Sequence, residues 1–191
     1  MTTWTIVNFK YYKCMEDKII IPSMSFSDAL YNTWLNITNF DGRSRRSELW
    51  WSFLVYFIAT CIVGLLVSNA IALTAISLVL YGWIAAVTVR RLHDRGHSGW
   101  WVAAAIALSV TQNVYAAASG SLELLQAANV TPEEVIEILS SPVYIICSLG
   151  GIVCNIVILI FCLQDSLPDK NKYGLSPKYF SHELCKTVHL T

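Results

Sequence analysis

Residues 49–89, LWWSFLVYFIATCIVGLLVSNAIALTAISLVLYGWIAAVTV, contain no Asp, Glu, Lys, Arg or His in 41 positions. As one helix at ~1.5 Å per residue this run would be about 60 Å long, twice a ~30 Å hydrocarbon core. It therefore predicts two membrane spans. Ser68 and Asn69 interrupt the apolar run near its middle and set the spans at residues 49–67 and 70–89. Two further charge-free runs, residues 98–122 and 138–164, predict a third span over 100–118 and a fourth over 143–163. Lipid selects such runs because a charge at the bilayer centre costs at least ~2.5–3.5 kcal/mol on insertion scales. The composition agrees, with 55% apolar, 12% aromatic and 14% charged residues against roughly 25% charged in a soluble domain. The expected fold class is an all-α integral membrane protein with four transmembrane helices.

Four spans place every Lys and Arg of the chain, from Lys10 to Lys186, on one side. The other side keeps the Ser68/Asn69 turn and residues 119–142, whose charges are Glu123, Glu133, Glu134 and Glu137. Loops rich in Lys and Arg stay in the cytoplasm, so both termini are expected there. The formal net charge of zero hides this polarity.

Within the external segment, Thr131, Pro132, Glu133 and Glu134 supply an N-cap, a first-position proline and first-turn acids, which predicts a short helix. It reads as a solvated helix against the membrane surface, with external ligand binding as the alternative. Before the first span, Phe26, Ala29, Leu30, Trp34 and Ile37 recur at helical spacing behind a Ser25/Asp28 capping pair. This amphipathic N-terminal helix is expected to lie in the cytoplasmic interface, packed beneath the bundle, since its polar face lacks Lys and Arg.

Residues 1–23 form an N-terminal extension without the apolar core of a secretory signal. It is strand-like around residues 18–21, and Met24 is a candidate natural start. The membrane domain then covers residues 24–180 and a cytoplasmic tail covers 181–191. Cys61, Cys147, Cys154 and Cys162 fall in spans and Cys14 and Cys185 on the cytoplasmic side, so no disulfide framework is implied. Cys147, Cys154 and Cys162 share one helical face and read as small packing residues.

Two loops carry the polar chemistry. FDGRSRRSELWW, residues 40–51, precedes the first span and RRLHDRGHSGWW, residues 90–101, precedes the third. Each sets an arginine cluster just before a tryptophan pair. Indole suits headgroup depth because it joins an apolar body to one N–H donor, while arginine reaches phosphate.

The pattern F-x-GR-x-RR-x-E-x-W at residues 40–50, RRLHD at 90–94 with SGWW at 98–101, and NKYGLSPK at 171–178 resembles the YhaH-type family of bacterial inner-membrane proteins. That family is catalogued as domain of unknown function 805. The resemblance covers about residues 24–180. It implies a small multi-span protein of the bacterial cytoplasmic (inner) membrane and brings no established activity with it. The longer acidic external segment and the tails at both ends depart from the family pattern.

For RRLHDRGHSGWW three chemistries compete. His93 and His97 are four apart, as in zinc helices, but Arg95-Gly96 reads as a turn and an arginine between ligands opposes a cation. A catalytic His93/Asp94 pair has no Ser or Cys nucleophile beside it in sequence. The structural reading fits more residues. Arg90 and Arg91 would follow the second span's C-terminus, and Ser98 would N-cap the third. Asp94 would pair with Arg91, Arg95, Arg43 or Arg46, and Glu48, close to the first span's entry, would be a further acidic partner for the arginines.

The candidate site is accordingly Arg43, Arg45, Arg46, Glu48, Arg90, Arg91, His93, Asp94 and Trp100, serving as a structural cluster or as a grip on an anionic phospholipid headgroup or phosphate. No catalytic residue, metal or cofactor is assigned. The expected partners are the bilayer, anionic phospholipid and other copies of the chain, and not nucleic acid. The chain thus reads as a binding, scaffolding or regulatory component. A small oligomeric channel or transporter is the alternative, and a membrane enzyme is the lesser one. The spans carry no Asp, Glu or His, and Gln112, Asn113 and Asn155 read as hydrogen-bonding between helices.

Overall fold

Chain order is β1 (Lys13–Met15), β2 (Lys18–Ile20), α1 (Phe26–Leu35), α2 (Arg46–Leu66), α3 (Ala70–Asp94), α4 (Trp100–Ala118), α5 (Ser121–Leu124), α6 (Pro132–Ser140), α7 (Pro142–Leu163) and β3 (Tyr179–Ser181). The computed structural model describes residues 13–15, 18–124 and 131–181. The tail from residue 182, with Cys185, and the first twelve residues lie outside the described residues. Four helices, α2, α3, α4 and α7, are long and apolar enough to cross a membrane.

The local chemistry of the helix ends explains most boundaries. Residues 67–69 leave the helix between α2 and α3, and the Asn69 Oδ1 accepts from the Ala72 N–H at 2.9 Å. Ser25 caps α1 by accepting from the Asp28 N–H at 3.2 Å. Thr131 and Glu134 form a full capping box at α6, and Ser141 with Pro142 starts α7. Each such cap satisfies an N–H that the first helical turn would otherwise leave orphaned.

The second span corrects the expectation at its end. Arg90, Arg91, His93 and Asp94 do not follow α3 as a loop; they are its last turns. The helix can run past the apolar segment because these side chains find acceptors and ring partners at the end of the bundle. It stops in a Schellman motif, with the His97 N–H donating to the Leu92 carbonyl at 3.0 Å and the Gly96 N–H to that of His93 at 2.9 Å. Gly96 takes φ 78°, the left-handed conformation this motif requires. Ser98 does not occupy the N-cap of α4, which falls on Gly99; its Oγ instead accepts from the Trp100 N–H at 3.4 Å.

The fold is not wholly helical. Residues 13–20 and 179–181 form a three-stranded antiparallel sheet in the order β1-β2-β3, with Ile19 opposite Phe180 and Cys14 opposite Ile19. The strand-like stretch before Met24 therefore pairs with the segment after the last span, and the membrane-crossing part remains all-helical.

The spans pack as two hairpins, α2 with α3 and α4 with α7, braced together at one end. That end holds the main core, where Leu49, Val87, Leu92, Val102, Ile158 and Cys162 meet. Burial in the first hairpin ends at Ser52 on α2 and begins only at Ile84 on α3, leaving Leu65, Leu66 and Val79 74–87% exposed. The second hairpin keeps buried residues near its far end as well, at Ala116, Tyr144 and Cys147. Cys147, Cys154 and Cys162 face inward. At the braced end α1 lies on α2, where Thr33 and Ser52 hydroxyls bond at 2.7 Å and Phe26 meets Trp51 edge-on at 5.4 Å.

Candidate functional site

Every described arginine of the chain comes to the braced end, and the question for each is where its donors go. Asp94, at the last turn of α3, is fully buried between two guanidiniums. Its Oδ1 accepts from Nε of Arg43 at 2.8 Å and its Oδ2 from Nη1 of Arg91 one turn back. Arg43 goes on to donate to the carbonyls of Leu167 at 2.5 Å, Asp169 at 2.9 Å and Gly174 at 3.2 Å. Arg91 donates to the carbonyls of Cys162, at 3.3 Å, and Gln164, and to the Ser166 hydroxyl at 3.2 Å. Those two carbonyls belong to the C-terminal end of α7, where a cation is favoured by orphan acceptors and the helix dipole.

A second pair sits beside the first. Nη2 of Arg90 donates to Oε1 of Glu48 at 2.9 Å, and the other carboxylate oxygen accepts from the Ser44 hydroxyl at 2.9 Å. Nη1 of Arg90 holds the carbonyls of Asn36 and Asn39, so the linker from α1 to α2 is tied to α3. Arg45 donates to the carbonyls of Ile21, at 2.6 Å, and Pro22. Burial holds its guanidinium below the ordinary arginine value against the pull of Asp94. Arg95 takes Oε1 of Gln164 at 2.9 Å and the Asp165 carbonyl at 2.8 Å. Asp94 therefore pairs with Arg43 and Arg91, and not with Arg95 or Arg46.

The two histidines have separate surroundings. His93 stacks on Tyr173 at 3.6 Å and 5°, with the Lys172 ammonium 4.8 Å from the Tyr173 ring centroid. Its carbonyl accepts from the Asn171 side chain at 2.9 Å. Its buried Nδ1 has no well-formed hydrogen bond among the described residues, the Gly42 backbone being its polar neighbour. His97 stacks on Phe161 at 3.7 Å. Trp100 stands outside the network, 79% exposed at the start of α4.

The architecture and these motifs agree with the family comparison. The profile of a protein family of unknown function, DUF805, matches residues 37–175. The chain belongs to the DUF805 family. The inner membrane protein YhaH of Escherichia coli (strain K12) and that of E. coli O157:H7 are each 41% identical to it over 76 residues. The match covers 35% of this chain and 62% of theirs, so the chain spans less than two thirds of these relatives. No solved structure matches.

In this DUF805 chain the residues that sequence reasoning missed are mostly acceptors. Asn36, Asn39, Leu167 and Gly174 act through main-chain carbonyls, which carry no side-chain signature. The NKYG stretch did carry a signal: residues 171 and 174 close a tight turn by two backbone bonds of 3.0–3.1 Å, with Gly174 at φ 124°. That turn delivers Tyr173 to His93 and the Gly174 carbonyl to Arg43. Asp165 and Lys178 also join the site at 2.5 Å, with the Tyr179 hydroxyl donating to the same oxygen at 3.1 Å. Burial works against the Asp165 charge, but Lys178, the Ser166 N–H and Tyr179 together hold its carboxyl below the usual range. Lys178 is raised by the same contacts against its own burial.

Chemically, the network is a brace with a cationic rim. Asp94 is 0% and Glu48 2% exposed, so neither carboxylate faces solvent as an acid or base. Arg46 and Lys178 lie at the rim.

Proposed function

We propose that this DUF805 protein sits in the bacterial cytoplasmic (inner) membrane with both termini cytoplasmic. There it acts as a binding, scaffolding or regulatory component whose basic end holds anionic phospholipid headgroups or phosphate. The observation that carries the reading is the shared depth of two features. All six arginines gather at the end where Trp34, Trp51, Trp100 and Trp101 are 38–79% exposed. Indole rims and arginines belong together at headgroup depth, where the cytoplasmic leaflet is anionic. The gathering of all Lys and Arg on one side, and the naming of the E. coli relatives as inner membrane proteins, support the location and orientation. α1, with Tyr31, Trp34 and Leu35 61–67% exposed, would lie in the same interface.

The test is thermal unfolding of the purified chain in phosphatidylcholine alone and with phosphatidylglycerol added. Anionic lipid raises the melting temperature under this reading, because a ligand that binds only the folded state stabilises it by mass action. An unchanged melting temperature sinks it.

The channel or transporter reading keeps one specific support. A groove of about 590 Å³ between α4 and α7 is lined by Ser109, Gln112, Ser148 and Asn155 at mid-span. Gln112 donates to the Ser148 hydroxyl at 3.3 Å, across the helix pair, but Asn113 and Asn155 bond carbonyls of their own helices. Flux of ions or small solutes through liposomes holding the purified chain favours this reading, and silent liposomes dismiss it.

A further inference from the structure

We propose that a phosphate group, on a phospholipid headgroup or free in solution, binds in a cavity beside the first turn of α2, gripped by Arg46 and Lys178. The proposal rests on the anionic-ligand reading above and gives it one place. Five of the six arginines already donate to carbonyls or carboxylates of the protein, as traced above. Arg46 is the exception among the described residues. It makes no hydrogen bond, lies 3.9 Å from Asp165 and leaves 47% of its side chain exposed. It borders a cavity of about 350 Å³ that Ser23, Ser47, Asp165, Ser166 and Lys178 also line, a size within the ~300–1,000 Å³ of small-molecule sites.

The donor balance of that cavity calls for a ligand made of acceptors. Ser47 accepts from the Met24 N–H at 3.3 Å and Ser166 from Arg91 at 3.2 Å, which leaves both hydroxyl protons to be donated. Lys178 gives one of its three N–H groups to Asp165, and Arg46 brings five more. Among the described residues Asp165 is the one anion in the wall, and its oxygens already take Lys178, the Tyr179 hydroxyl and the Ser166 N–H. Lys178 balances its charge, so the Arg46 charge is in excess. Arginine binds phosphate bidentately and lysine binds it as a point charge. The opening of α2, whose N-cap Arg45 supplies no side-chain acceptor, adds a partial positive charge to the same wall.

The experiment measures melting of the full chain in phosphatidylcholine nanodiscs against inorganic phosphate, and separately against phosphatidylglycerol incorporated in the disc. A shift with phosphatidylglycerol alone identifies the headgroup as the source, and a shift with inorganic phosphate alone identifies the free ion. Arg46→Gln and Lys178→Gln each raise the concentration for half-maximal shift about tenfold or more, the worth of one lost charge-assisted hydrogen bond. Arg46→Lys keeps most of the shift and guards against simple loss of fold. Lys172→Gln, at the same end but outside the cavity, leaves it intact. If the two glutamine variants respond like wild type, or Lys172→Gln loses the shift equally, the cavity is not the site although anionic binding stands. If wild type responds to neither ligand, both readings fall.

Discussion

Arg43 and Arg91, 48 positions apart in sequence, hold the two oxygens of the same carboxylate, Asp94, which is fully enclosed between them. The three side chains connect the linker before α2, the last turn of α3 and the chain leaving α7. Removing the acid leaves two buried guanidiniums facing each other without a counter-charge. Asp94→Ala is therefore expected to destabilise the fold by about 3–5 kcal/mol, the usual cost of breaking a buried pair. Asp94→Asn, which retains a carbonyl acceptor, should cost less. Reversible unfolding in mixed micelles measures both, and wild-type stability in the alanine variant would contradict the brace.

Gly99, the N-cap of α4, packs against α3 with no room for a side chain. A methyl group there would lie 2.8 Å from Cγ1 of Val89, a β-branched side chain with little freedom in a helix. Gly99→Ala should lower stability by about 1–3 kcal/mol through overpacking. At Gly150 the added carbon would sit 3.1 Å from Cδ1 of Leu108, which has rotamers to yield. Gly150→Ala is expected to be milder, and the two melting curves compared directly give the order.

His97 supplies a pH dependence of definite sign. Its pKa is lowered from 6.5 first by burial against the bundle and then by the Arg95 charge. Unfolded, it takes up a proton at higher pH than it does folded, so protons favour the unfolded state. Stability falls as pH drops below 6.5, down to the depressed folded value, and His97 adds no slope above that window. Replacing it with Gln should flatten that part of the stability profile. An imidazole NMR titration above 6.5 would reverse the assignment.

The proposed orientation is open to labelling. In a cysteine-free background, Ser68→Cys should react with an impermeant maleimide applied from outside the cytoplasmic membrane. Lys172→Cys should react only once that membrane is breached. The opposite pattern would place the basic end outside.

The spans were legible because absence of charge over some 20 residues is a constraint imposed by lipid, and it is visible without any partner. Thr131-Pro132 and Ser25 were legible for a related reason, since capping chemistry is local. The end of α3 was misread because a helix is expected to stop near the edge of its apolar run unless distant groups receive its polar side chains. Here the receiving groups are carbonyls 71–75 positions away, at Cys162 and Gln164, with the Ser166 hydroxyl. The candidate cluster divided in the same way. Arg43, Glu48, Arg90, Arg91 and Asp94 meet as partners, whereas Trp100 stands apart and Lys178, which no spacing connects to Arg46, shares its cavity.

The uneven burial of the two hairpins has a mechanical side. Among the described residues the buried core shared by α2–α3 and α4–α7 lies toward the guanidinium end and reaches inward to Tyr81 and Cys154, so the molecule resembles a tuning fork with a stiff stem and a first prong left exposed beyond it. Such a shape converts sideways pressure on the prongs into torque on the stem. A bilayer that thickens or thins would then load the same Asp94 clasp that holds the loops in place.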